Sequence, residues 1–237
     1  MATDFPVLTD HIYIWIFGII LPFLSGLQSD QLAGNIIFTE SSRRRLYLSN
    51  SLMLGLAGAS VLVLWLIKKR PMATLGFQSP DWTHYLQISL LTILLVALYA
   101  TDLYLSKRKA HEDSEQAWYE KSSFLPAQWR EMPSYVLLCL CAGIFEEIIY
   151  RGFMVTYFVN NATPESFSWV ALLAPAALFS LAHFYQGWSS VLKIFLFTLF
   201  LNYLFLQTKS LYPTMFIHFL VDLVSGMTAL PKKVNNQ

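Results

Sequence analysis

The chain has 237 residues, 55% of them hydrophobic and only 13% charged, against about a quarter charged in an ordinary soluble domain. The formal net charge of +1 points to no particular partner. The basic residues sit in short clusters at the ends of apolar blocks, which excludes a nucleic-acid-binding face.

The apolar blocks predict an all-α, polytopic transmembrane helical bundle of about seven helices, with eight as the upper count, forming one integral domain over 1–237. In chain order the expected spans are 11–27, 46–67, 85–106, 133–158, 167–185, 190–207 and 212–230. The first ten residues lack a basic stretch and no small-residue cleavage site follows, so the first block reads as a retained helix. The first, sixth and seventh are close to the shortest length that crosses hydrocarbon. The fifth has a bend expected around Pro175 and Leu181.

Between the third and fourth spans, 107–132 turns from basic to acidic and carries Trp118, Tyr119, Phe124 and Trp129. It reads equally as an interfacial amphipathic helix or as a solvated linker with interface anchors. Asn161-Ala-Thr163 is formally a glycosylation acceptor, which Pro164 disfavours. Cys139 and Cys141, two apart, do not face each other on a helix and are read as free core residues. The basic clusters Arg43–Arg45, Lys107–Lys109 and Lys232-Lys233, with Lys121 and Arg130, fall on one side of a seven-span chain. That side is expected to be cytoplasmic, with the N-terminus outside. Lys68, Lys69 and Arg70 oppose the rule.

Polar residues inside the spans carry the chemistry, because charge in hydrocarbon is costly and marks function by default. Glu146 and Glu147 are adjacent in the fourth span. Glu147 and Arg151, four apart, share a helix face and are expected to pair, leaving Glu146 to face something else. Gly143 and Gly152 permit close helix approach. His183 follows Phe179 by four in the fifth span. His218 and Asp222 are four apart in the seventh, where Pro213 suits the first helical turn. Convergence on one membrane-embedded polar cavity is the economical reading.

Two chemistries suit such a cavity. Glu146 is a general base for water attacking an amide, with histidine positioning the water and another donor at the oxyanion. Alternatively Glu146, His183 and His218 form a distributed zinc site, ranked lower because no metal-binding helix motif is present. A serine mechanism through Ser180 lacks a nucleophile turn, and a paired-aspartate mechanism has only Asp102, near a span end, beside Asp222.

Glu146-Glu147-x-x-x-Arg151, Phe179-x-x-x-His183 and His218-x-x-x-Asp222, in this order, resemble the three motifs of the CPBP (Abi, type II CAAX endopeptidase) family of intramembrane glutamic peptidases. The resemblance covers 133–228. It implies a conical helical bundle and a metal-independent endopeptidase with no cofactor. Glu146 would be the base, His183 would help activate water, and His218 and Asp222 would line the oxyanion side. Glu147, Arg151 and Phe179 would support the site. The substrate would be a membrane-associated or lipidated peptide or protein. The short length suits a prokaryotic cytoplasmic-membrane protein. A non-proteolytic immunity or scaffold protein is the alternative, and a proton-coupled transporter a further one.

Overall fold

The computed structural model describes residues 6–24, 38–112, 124–161 and 167–230. Among them run seven helical rods: α1 Leu8–Leu24, α2 Glu40–Ile67, α3 Tyr85–Glu112, α4 Trp129–Asn160, α5 Phe167–Ala182, α6 Trp188–Thr208 and α7 Leu211–Ala229. Four of them, α2, α3 up to Asp102, α4 and α6, are long and apolar enough to cross a membrane. Helices α1 and α5 are shorter apolar helices. Helix α7 has 19 residues, and His218, Asp222 and Pro213 dilute its apolar character.

The boundaries shift for local reasons. Helix α2 begins six residues before the expected span because Thr39 caps it, its side chain accepting from the Ser42 N–H. It ends where Lys69 turns to a φ of 52° and Pro71 follows. Helix α3 continues past 106 to Glu112, so the start of the expected interfacial segment 107–132 is helix; residues 113–123 of it lie outside the described residues. The Asn161-Ala-Thr163 acceptor also reaches outside them. Helix α5 stops at Ala182, short of 185, and a tight 3₁₀ turn, Phe184–Gln186, follows.

Helix α4 is the hub, packed against α2, α5 and α7. Without a hydrophobic drive between helices in lipid, close packing carries association. The two glycines singled out in α4 permit it. A Cβ on Gly143 would stand 3.0 Å from the α7 backbone at Phe219 N, and one on Gly152 2.8 Å from the carbonyl of Leu75. Two buried ion pairs clip the bundle at opposite ends. Arg70 grips Asp10 through two hydrogen bonds of 2.8 and 2.7 Å, tying α2 to α1. Arg43 donates to Glu131, which also accepts from the Ala127 N–H, tying α2 to α4. Near the Arg70 end, the α2–α3 loop is laced to the α6–α7 turn by Asp81 N–H to Thr208 O, Leu211 N–H to Gly76 O and Ser210 Oγ to Gln78 O. There, hydrogen bonds from Thr83 hold the Asp81 carboxyl below its usual range. Both cysteines are free.

Candidate active site

The carboxylates of α4 sit where its hydrogen bonding loosens. Ala142–Glu146 and Ile148–Val155 are π-helical, with Glu147 at the junction. Such wide turns are rare and concentrate at functional sites. Here they frame both glutamates and Arg151.

Glu147 is fully buried, and its Oε1 accepts two hydrogen bonds of 2.7 Å, from Arg151 Nη1 and from His218 Nδ1. The first is the expected pair. The second was hidden from sequence reading because its partners are 71 residues apart. The expected partner of His218, Asp222, stands farther off, its Oδ2 3.6 Å from Nε2. Glu146 approaches the same nitrogen, its Oε2 at 3.7 Å. His218 therefore lies among three carboxylates, hydrogen-bonded to the one on the far side of its ring. Asp222 is held from behind by Tyr135, whose hydroxyl donates to the Asp222 carbonyl over 2.9 Å.

His183 follows the last residue of α5. Its Nδ1 stands 2.9 Å from the Phe179 carbonyl. A carbonyl only accepts, so Nδ1 carries the hydrogen and Nε2 of the neutral ring is left as an acceptor. Phe179 is the joint of the site. Its ring packs on His183 (4.7 Å between centroids), His218 (6.1 Å) and Tyr150 (4.7 Å), and the Arg151 guanidinium lies 5.0 Å from its centre. Phe197 of α6 closes the other side of His218 at 6.0 Å.

A cleft of about 220 Å³ opens between α1, α2, α4 and α5. Glu146 and His183 both line it, together with Tyr150, Tyr185 and apolar residues including Phe17 and Leu54. This lining is mostly apolar, unlike the polar cavity expected from the sequence. Tyr150, Tyr185 and Phe197 were missed because an aromatic residue in an apolar span carries no sign of what it faces. Ser180 donates to the Ala177 carbonyl, and Asp102 pairs with Lys193 of α6. No group of three His, Cys, Asp or Glu side chains among the described residues is arranged to hold a metal.

Residues 128–224 match the family model described as Type II CAAX prenyl endopeptidase Rce1-like. Neither a curated protein nor a solved structure matches the chain. The matched segment runs from the start of α4 to beyond Asp222, and it contains Glu146, Glu147, Arg151, Phe179, His183, His218 and Asp222. Over this segment, about two fifths of its length, the chain is similar to the Rce1-like family of the CPBP/Abi superfamily.

Proposed function

We propose that the protein is an intramembrane endopeptidase that hydrolyses a peptide bond with glutamate-activated water, acting on a membrane-associated or lipidated peptide or protein. One observation carries this reading: Glu146 lines one cleft together with His183 and approaches His218 at 3.7 Å. A water held by His183 Nε2 gives a proton to the Glu146 carboxylate, and its oxygen adds to the carbonyl carbon. The carbonyl oxygen becomes an oxyanion, stabilised by N–H donation from Nε2 of His218, which acts as the doubly protonated imidazolium because its Nδ1–H is already given to Glu147. Glu146 then passes its proton to the departing nitrogen. The C–N bond breaks, leaving a carboxylic acid on one fragment and an amine on the other.

Glu147 and Arg151 act through His218. By accepting from Nδ1, Glu147 fixes the ring so that Nε2 faces the reacting groups, the service a buried carboxylate gives a catalytic histidine in hydrolytic triads. Asp222 faces the same nitrogen and steadies the ring as it donates.

The experiment is cleavage of a membrane-anchored reporter peptide by purified protein in lipid. Glu146→Gln keeps shape and hydrogen bonding but removes the base, and cleavage is expected to vanish while the helical circular dichroism signal and melting temperature stay. Cleavage at the original rate by that variant would sink the mechanism.

A further inference from the structure

Resting on the proteolytic reading, we infer that Lys193 is a specificity-determining residue that takes a carboxylate of the substrate. Lys193 is the only lysine in the four apolar spans. It sits one helical turn, about 6 Å along α6, before Phe197, the residue that packs on His218. Asp222 lies one turn beyond His218 on the antiparallel α7. The Tyr99 hydroxyl of α3 meets Ser225 Oγ at 2.7 Å. Lys193, Asp102, Tyr99, Ser225 and Asp222 thus gather at the same end of the site.

The present partner of Lys193 is exchangeable. Its Nζ lies 2.7 and 2.9 Å from the two carboxylate oxygens of Asp102, but the side chains are 53% and 42% exposed. An ion pair this open contributes little to stability. Asp102 is also carried on α3, the least buried of the four spans. A substrate carboxylate can therefore replace Asp102 without loss of burial.

The electrostatics sharpen the choice of ligand. Asp222, 36% exposed, and Glu146 both approach His218 Nε2, so an anion in this region needs a cation beside it. Lys193 gives it a defined position. An extended peptide advances about 3.3 Å per residue, so a carboxylate held one helical turn past the Phe197–His218 contact falls about two residues from a bond cleaved beside His218. At the far end, the apolar cleft lined by Phe17, Leu21, Pro22 and Leu54 suits uncharged side chains. The preferred substrate is apolar on the α1 side of the bond and anionic on the α6 side.

The carboxylate can be a chain terminus or an acidic side chain, and the test separates them. Fluorescent peptides of one sequence carry a free or amidated C-terminus, and Glu or Gln two residues past the scissile bond. Binding is measured by anisotropy on Glu146→Gln protein in lipid, and cleavage on wild type. A tenfold tighter binding of one acid form over its amide is expected, about the size of one charge-assisted hydrogen bond. Lys193→Ala added to that background removes the difference, Lys193→Arg keeps it, and Asp102→Asn widens it. Equal binding of acid and amide forms, at any level including none, overturns the proposal, as does a preference that survives Lys193→Ala. Selective binding without cleavage by wild type would instead overturn the proteolytic reading and leave the carboxylate site standing.

Discussion

Glu147 shows how much a single spacing reveals and where it stops. Its pairing with Arg151 follows from positions four apart on one helix, and the contact is present at 2.7 Å. Its bond to His218 depends on how α7 docks against α4, which no local pattern encodes. The same limit hid Asp10–Arg70 and Arg43–Glu131, each built from elements distant in sequence. Two predictions follow from the geometry at Glu147. Arg151→Ala leaves a buried carboxylate without its cation, and should cost about 3–5 kcal/mol in unfolding experiments in detergent. Pairing Arg151→Met with Glu147→Gln removes both charges and should restore most of that loss. The positioning role separates from the structural one by chemistry. A Gln at 147 still offers a carbonyl oxygen to His218 Nδ1, whereas a Leu does not. Glu147→Gln should keep the Nδ1–H signal of His218 in ¹⁵N NMR and part of the cleavage rate, and Glu147→Leu should lose both. Equal behaviour of the two variants would assign Glu147 to packing alone.

At the scale of elements, the helices were legible as apolar blocks because hydrocarbon admits few other structures. Their ends were less legible. Thr39 caps α2 early, and α5 stops at Ala182 so that His183 leaves the regular helix and turns its ring back to Phe179. The π turns of α4 left no mark in composition, yet they set the bearing of both glutamates and Arg151. Gly143 lies in the first of them, against the α7 backbone at Met215 O and Phe219 N. A larger residue there must push α7 away from α4, and the 2.7 Å bond between His218 and Glu147 spans that contact. Gly143→Val should therefore lower cleavage at least tenfold, the effect expected when a catalytic group is misplaced by a fraction of an ångström. Assayed beside it, Gly187→Ala is a poor control because Gly187 has a φ of 87°. Ala97→Val, at an exposed position of α3, is the better one and should leave the rate near wild type.

At the scale of the molecule, the alternation of helices sorts the polar contacts into two ends. Asp10–Arg70 and the lacing of Gly76, Gln78 and Asp81 to Thr208, Ser210 and Leu211 lie at one. Arg43–Glu131, Tyr47 donating to the Phe124 carbonyl, and Lys193–Asp102 lie toward the other. The sequence contained an apparent conflict, since Lys68, Lys69 and Arg70 opposed the positive-inside assignment. Arg70 proves to be a buried partner of Asp10, stacked 4.8 Å from the Trp65 ring, so its position answers to folding. Lys68 and Lys69 remain exposed at that end, against Arg44, Arg45 and Arg130 at the other. The balance favours a cytoplasmic Arg44 end. The groups around Lys193 and Asp222 would then open toward the cytoplasm. In a background with both native cysteines replaced by alanine, Ser41→Cys and Lys69→Cys place one thiol at each end. A membrane-impermeant maleimide applied to intact cells should label position 69 and spare 41, with 41 labelled only after the membrane is opened. The reverse pattern would invert the molecule and direct the mouth of the site to the outside.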